Sequence, residues 1–146
     1  MSNPKTLCPC DIIYAHREDS DFHEQAIAAL RGLAESGRRW SIPWPCLHEF
    51  LAITTHPRIF NPPTPAHLAL EAMDVWLASP GCEMIGEGAG YYDELKKLVT
   101  RGMVAGPMVH DARIAALCIH HGVQAFWTAD RDFSRFSGLH THNPMA

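Results

Sequence analysis

The chain has 146 residues, of which 47% are hydrophobic, and its formal net charge at pH 7 is −4. This length and composition suit one domain, assigned to residues 1–146, and no run of about 18 apolar residues predicts a membrane span. The negative net charge supplies no overall basic field, so a nucleic-acid partner would have to meet a local basic patch.

The cysteines are odd in number and scattered along the chain, and the N-terminus has no long apolar stretch of the kind that marks a secretory signal. Both features argue for reduced thiols in the cytoplasm rather than a disulfide framework. The cysteines are Cys8, Cys10, Cys46, Cys82 and Cys118.

In the first half of the chain, the segment "CPCDIIYA" is interpreted as the first strand, with Cys8, Cys10 and Asp11 on it. A helix is predicted over 22–36, where apolar residues recur at helical spacing and Gly37 provides a stop. "RRWSIPW" predicts a short strand, and "PCLHEFLAITTHP" a helix with Pro45 near its start.

The second half continues the alternation of helices and short strands. "TPAHLALEAMDVWLASPG" predicts a helix capped by Thr64, "CEMIGEGAG" a weak strand, and "YYDELKKLVTRG" a helix ending at Gly102. "GPMVHDARIAALCIHHG" is the clearest helix, followed by a strand in "VQAFWTA" and a turn or short helix in "DRDFSRF". The pattern predicts an α/β domain with a central, mostly parallel sheet flanked by helices, and a functional crevice at the carboxyl ends of the strands.

Glu49 occupies a helix, "CLHEFLAI", that is apolar nearly all round. Its helical neighbours Cys46, Ala52 and Ile53 predict that its carboxylate faces the core. A buried unpaired carboxylate is costly and needs a cation or strong donors. The structural alternative is a buried ion pair with an arginine such as Arg113 or Arg131.

Asp111 lies in the first turn of "VHDARIAALCI", on the same helical face as Ile114, Ala115 and Cys118. That face predicts that the acid points inward. The alternative is an acid that stabilises the helix dipole, a role normally filled by a solvent-facing side chain.

Asp130 and Asp132 directly follow the strand "AFWTA". One of them could simply cap the short helix "RDFSRF", but two acids exceed what a cap needs. Several carboxylates converging at one edge of a parallel sheet repel one another, and a hard divalent cation such as Mg²⁺ or Mn²⁺ relieves that repulsion. Such an ion can activate water for attack on a phosphodiester, which is the chemistry of metal-dependent nucleases.

The paired motifs "VHDARIAALCIHHGV" and "FWTADRDFSRFSGL" resemble the C-terminal half of PIN-domain ribonucleases, in particular the VapC-type toxins of toxin–antitoxin pairs. "YAHREDSDFHEQA", "IPWPCLHEFLAITTHPRIFNPPTP" and "WLASPG" extend the resemblance over nearly the whole chain. The resemblance implies a PIN fold and a Mg²⁺-dependent endoribonuclease. Three of its four catalytic acids map onto Glu49, Asp111 and Asp130, with Asp132 as an accessory ligand and Thr128 orienting a water or a carboxylate.

The chain departs from the family pattern at the first acid, which normally opens Asp-x-Asn-x-x-x-Tyr-Ala. Counting back from Tyr14-Ala15 places Cys8 at the aspartate and Cys10 at the asparagine. A second register, with a local deletion before Tyr14, makes Asp11 the acid instead. A thiol is mostly neutral at pH 7 and its sulfur is a poor partner for Mg²⁺, so the first register predicts a weakened site.

The resemblance also implies an RNA substrate, a cognate antitoxin protein and a homodimer. Arginines flanking the site are candidate phosphate contacts, although each could equally be an ordinary surface residue. They are Arg17, Arg113, Arg131 and Arg135. A catalytically weakened PIN domain that binds RNA or antitoxin without cutting is the alternative function. The aromatic residues Trp40, Trp44, Phe60 and Trp76 are assigned either to the core or to a contact surface.

Overall fold

The computed structural model describes residues 5–7 and 9–145, and their side chains from Ile12 onward. Helices and strands alternate along the chain. The strands are β1 Lys5–Leu7, β2 Trp40–Pro43, β3 Cys82–Ile85, β4 Ala125–Trp127 and β5 Thr141–His142. The helices are α1 Pro9–His16, α2 His23–Glu35, α3 Trp44–Thr54, α4 Ala66–Ala78, α5 Tyr91–Arg101 and α6 Met108–His120, with a 3₁₀ segment at Arg131–Arg135. None of the helices in these ranges is long and apolar enough to cross a membrane.

The five strands form one sheet in the order β3-β2-β1-β4-β5, and every pair of neighbours is parallel. The predicted α/β architecture is therefore confirmed. β1 lies at the centre, because the chain first adds β2 and β3 on one side and later β4 and β5 on the other. This reversal of direction opens a crevice at the carboxyl ends of the central strands.

The core fills the space between the sheet and its helices. The fully buried large side chains include Trp40, Phe50, Leu117 and Phe126, contributed by two strands and two helices. Helix α6 is buried from its middle onward, since Ala112 and the run 114–118 are buried. The first turn of α6 is thereby held at the edge of the sheet.

Most predicted helix ends agree with the structure. Gly37 and Gly122 follow α2 and α6 with φ values of +73° and +68°, a conformation that glycine adopts without penalty. Pro45 lies in the first turn of α3, where its missing N–H would have no partner in the helix. The cap assigned to Thr64 is wrong, because Pro65 precedes α4 and the Thr64 hydroxyl accepts a hydrogen bond from Arg17 instead.

The opening segment is helical rather than extended after Leu7. β1 has three residues and α1 begins at Pro9, so the placement of Cys10 and Asp11 on a strand is wrong. Ile12 and Ile13 are both buried. A short apolar run fits a buried helix as well as a buried strand, and the proline at the first helical position favours the helix.

The candidate contact aromatics divide between core and surface. Trp40 and Trp76 are buried, whereas Trp44 is 41% exposed. The Phe60 ring lies under the Arg17 guanidinium, whose carbon is 4.3 Å from the ring centroid. Trp40 and Trp76 are therefore core residues.

Candidate metal centre

Three elements meet at the carboxyl edge of the sheet. α3 directly follows β2, and 128–132 directly follow β4, so both begin at that edge. α6 precedes β4 and runs back across the sheet, which brings its first turn to the same edge. Glu49, Asp111, Asp130 and Asp132 belong to these three elements.

Asp111, Asp130 and Asp132 form a carboxylate cluster. One side-chain oxygen from each lies within 4.8 Å of the other two. Asp111 and Asp130 are half-buried and Asp132 is exposed, so the cluster opens to solvent. Asp132, predicted only as an accessory, therefore belongs to the same cluster as Asp111 and Asp130.

Backbone hydrogen bonds fix the loop that carries two of these acids. Asp130 Oδ1 accepts from the Asp132 backbone N–H, with 2.9 Å between oxygen and nitrogen, so Asp130 also caps the 3₁₀ segment. The buried Thr128 hydroxyl accepts from the Asp130 backbone N–H, at 3.0 Å. Thr128 thus orients the Asp130 main chain. Asp130 Oδ1 caps the 3₁₀ segment, and the Asp130 carboxylate also belongs to the cluster with Asp111.

The surroundings of Asp111 disfavour its charged form. Partial loss of solvation, followed by the charges of Asp130 and Asp132, raises the pKa of Asp111. His110 and Arg135 act in the opposite direction without cancelling the rise. No Lys, Arg or His nitrogen lies within 4.0 Å of these three carboxylates among side chains 12–145.

Glu49 faces the cluster from α3, and its predicted burial against the core is wrong. The residue is exposed, whereas Cys46, Leu47, Phe50 and Thr54 form the buried stripe of that helix. Loss of solvation at the carboxylate, followed by the Asp111 charge, nevertheless raises the pKa of Glu49, and Asp130 contributes in the same direction. The apolar residues that suggested burial form the buried side of α3, and Glu49 lies on the helix surface next to that side.

A pocket of about 330 Å³ separates Glu49 from Asp111. Its walls are α3 and α6, and two histidines border the acids. The lining residues are Pro45, His48, Glu49, His110, Asp111, Arg113 and Ile114. His48 was not among the predicted site residues; its place one position before Glu49 was the available signal.

The arginines predicted to contact phosphate differ in whether they already bind other groups of the protein. Arg113 binds Glu87 rather than Glu49, with 2.6 Å between Nη2 and Oε1. Arg17 binds Asp19, the Pro62 carbonyl and the Thr64 hydroxyl, and so ties the end of α1 to the loop before α4. Arg131 is exposed and forms no ion pair with the side chains described. The ion pair considered for Glu49 with Arg113 or Arg131 is therefore absent from this part of the chain.

The position of the family's first acid lies in the opening segment of the chain. Cys8 lies outside the described residues. Asp11 is the third residue of α1, and its side chain is likewise not described. The structure therefore leaves both registers of the opening segment as predictions.

Comparison with known proteins places the chain in a family. The family model described as PIN domain matches residues 11–139, which is most of the chain. The chain belongs to the PIN-domain family. Ribonuclease VapC48 of Mycobacterium tuberculosis is 29% identical over 136 residues, covering 92% of this chain and 93% of the relative. Ribonuclease VapC43 of the same organism is 30% identical over 135 residues, covering 92% and 90%.

Solved structures support the same fold for this PIN-domain chain. VapBC2 from Rickettsia felis, bound to a promoter DNA fragment, superposes with a TM-score of 0.71 at 19% identity, covering 95% of this chain and 97% of that chain. Mycobacterium tuberculosis VapC20, described as a sarcin-ricin loop cleaving toxin, gives 0.67 at 16% identity, covering 92% and 95%. At these identities the likeness concerns the fold.

The donor set of the cluster fits a hard divalent cation. All of its ligand atoms are carboxylate oxygens, the type that Mg²⁺ and Mn²⁺ prefer over softer donors. Partial loss of solvation and mutual repulsion, with no cationic side chain within 4.0 Å among those described, leave a negative site that a positive ion stabilises. Asp111, Asp130 and Asp132 could hold the ion, and Glu49 faces them across the pocket.

Proposed function

We propose that this PIN-domain chain is a Mg²⁺-dependent endoribonuclease, with Mn²⁺ as a substitute ion, and the toxin of a toxin–antitoxin pair. The single observation that carries the proposal is the cluster of Asp111, Asp130 and Asp132, whose oxygens converge within 4.8 Å. Glu49, Asp111 and Asp130 are the proposed catalytic acids, and Asp132 is a further ligand. When bound, a divalent cation would activate a water and stabilise the phosphodiester during attack.

The protein's own residues would prepare the site for that chemistry. Asp111 is held by a helix whose following residues are buried, so its position is rigid. Asp130 is held by its cap to Asp132 and by Thr128. Loss of solvation, followed by the charges of neighbouring acids, raises the pKa values of Glu49 and Asp111, and a bound cation would offset that penalty.

RNA is the proposed substrate because the relatives that match over nine-tenths of the chain are named ribonucleases. As part of the same proposal, the protein acts in the cytoplasm. The test is a cleavage assay on the purified chain with labelled RNA, in Mg²⁺, in Mn²⁺ and in excess chelator. We expect cleavage only with metal, and 5′-phosphate and 3′-hydroxyl ends. Cleavage that persists in chelator would contradict the metal-dependent proposal.

An antitoxin partner and a homodimer complete the proposal. The structural neighbours include VapBC complexes from Rickettsia felis and Salmonella typhimurium. Helix α4 exposes apolar side chains that a partner could cover; the most exposed of them is Val75, at 66%. Sedimentation of the isolated chain tests the homodimer. A monomer at high concentration would contradict it, and co-purification with the protein encoded beside it tests the antitoxin.

The alternative function is a PIN domain that binds RNA or antitoxin with little cleavage. The observation that favours it is Cys8, which stands at the family's first aspartate in one register. A site with one hard ligand fewer should bind Mg²⁺ weakly and accept softer ions such as Zn²⁺ if the thiolate forms. Tight RNA binding with slow cleavage in Mg²⁺ would favour this alternative.

A further inference from the structure

Another cavity lies between α5, the last turn of α6 and residues 135–138. Its volume is about 300 Å³, and we call it the α5 pocket. Its charged lining comprises Lys97, Arg101, Arg135 and Glu94, and its apolar wall includes Leu98 and Ile119. Three cations and one acid give it a local charge of about +2, in a chain whose net charge is −4.

The cations of the α5 pocket keep donors free for a ligand. Lys97 Nζ is 3.7 Å from Glu94 Oε1, the longest of the ion pairs among the described side chains, and the Lys97 side chain is 54% exposed. Arg101 forms no ion pair with those side chains. Arg135 donates from Nη1 to Met108 Sδ at 2.9 Å, and a thioether is a weak acceptor.

Arg135 connects this pocket to the carboxylate cluster. Its partner Met108 is three residues before Asp111 on α6. Its positive charge also acts on the Asp111 carboxylate, whose pKa it lowers against the larger opposing effects. The pocket contacts α6 at Ile119, eight residues beyond Asp111, which at a rise of about 1.5 Å per residue is roughly 12 Å along the helix.

We propose that the α5 pocket binds backbone phosphates of the RNA next to the bond that is cut. The inference rests on the proposed ribonuclease function and adds the path of the substrate. Guanidinium and ammonium groups bind phosphate oxygens through charge-assisted hydrogen bonds, and Arg does so with a bidentate fork. Leu98 and Phe136 in its wall are buried, so the pocket offers an acidic protein segment little apolar surface for anchoring.

The test measures RNA binding without cleavage, in Mg²⁺, using the full chain with Asp111→Asn. Fluorescence anisotropy with a short labelled single-stranded RNA is recorded over a range of salt concentrations. We expect Arg101→Gln and Lys97→Gln each to weaken binding about three- to tenfold and to lower the salt slope by about 0.7. Arg101→Lys, which keeps the charge, should restore most of the affinity.

The matched control is Lys96→Gln, a neighbouring exposed lysine on α5 that does not line the pocket. It should change the affinity less than about twofold. Thermal unfolding of each variant separates lost contacts from lost structure, because Arg101 also lies in the last turn of α5, where a cation stabilises the helix end. If Arg101→Gln weakens binding only in proportion to unfolding, the inference is overturned.

Two further outcomes keep the inference distinct from the proposed function. Metal-dependent cleavage by the unsubstituted chain, combined with RNA binding that responds equally to Lys96 and Lys97, would overturn the α5 pocket and leave the nuclease intact. A chain that neither cuts nor binds RNA would overturn both. Poly-glutamate competing as well as RNA, with the same dependence on Arg101, would assign the pocket to an acidic protein instead.

Discussion

The first two turns of α6 border two carboxylate environments of opposite character. Two residues after Asp111, Arg113 binds Glu87 through Nε and Nη2, at 2.7 and 2.6 Å from Oε1. A hydrogen bond from its own backbone N–H, followed by Arg113, lowers the pKa of Glu87. Asp111 instead faces Asp130 and Asp132, and its pKa is raised. The same helix therefore neutralises one carboxylate and leaves the other unpaired among the described side chains.

This difference separates an arrangement that stabilises the fold from one that serves a ligand. The Arg113–Glu87 pair is an ordinary surface ion pair, with both side chains 40% exposed. Unpaired acids at one edge of the sheet lower the stability of the folded state and gain nothing from one another. Perturbed carboxylates collected in a pocket are typical of functional sites.

The largest expected effect comes from removing the charge of Asp111, which forms no ion pair among the described side chains. Asp111→Asn should reduce metal-dependent RNA cleavage by at least about 100-fold, because it removes a charged ligand and keeps the side chain's shape. Cleavage rates in saturating Mg²⁺ measure it. Asp74→Asn, an exposed acid on α4, is the matched control and should leave the rate unchanged. A parallel loss of thermal stability in Asp111→Asn would indicate that Asp111 is structural.

The next largest effect concerns the family's first aspartate, at whose position Cys8 stands in one register. If Cys8 replaces a hard ligand, Cys8→Asp should raise Mg²⁺-dependent cleavage about tenfold, since a carboxylate binds Mg²⁺ where a neutral thiol does not. Asp11→Asn should then change the rate little. Loss of activity in Asp11→Asn, with no gain from Cys8→Asp, would support the shifted register.

A smaller effect concerns stability and pH. Carboxylates whose folded pKa is raised favour the protonated form on folding, so their contribution is most favourable below the ordinary carboxylate pKa and is lost as the pH rises through the raised value. At pH 7 without divalent ions, Asp111→Asn should therefore melt about 1–2 °C higher than the unsubstituted chain.

The difference in melting temperature between Asp111→Asn and the unsubstituted chain should depend on pH and on Mg²⁺. The difference should shrink as the pH falls towards about 4, where Asp111 of the unsubstituted chain becomes protonated in both the folded and the unfolded state. Added Mg²⁺ should raise the melting temperature of the unsubstituted chain more than that of Asp111→Asn. Calorimetry at several pH values measures both. An Asp111→Asn variant less stable at pH 7 would show that the acids do not repel one another.

The smallest effect is expected on the paired side. Glu87→Gln removes an exposed ion pair and should cost about 0.5–1 kcal/mol of unfolding free energy or less. Urea denaturation measures it. The substitution also frees Arg113, which borders the pocket beside Asp111. If Arg113 contacts phosphate, RNA affinity should increase slightly in Glu87→Gln and fall in Arg113→Ala; unchanged affinity in both would limit Arg113 to the ion pair.

The sequence by itself determined the alternation of helices and strands and the acids of the C-terminal half. Periodicity and punctuation are local signals, so Gly37, Pro45 and Gly122 marked helix ends that the structure confirms. Asp130 and Asp132 follow a strand, and that position places them at a sheet edge whatever the rest of the chain does. The strand β5 was not predicted, because its two polar residues, Thr141 and His142, are too few to show a period of two. The helical state of 9–16 was not predicted, because a short apolar run fits either kind of element.

Only the tertiary structure decided which acids meet and which are neutralised. Local spacing predicted a buried Glu49 and offered Arg113 as its partner, whereas the packed chain exposes Glu49 and gives Arg113 to Glu87, 26 residues away in sequence. It also brought Asp132 into the cluster with Asp111 and assembled the α5 pocket from α5, α6 and the 3₁₀ segment. Contacts between distant segments depend on strand order and helix packing, and no local pattern in the sequence encodes them.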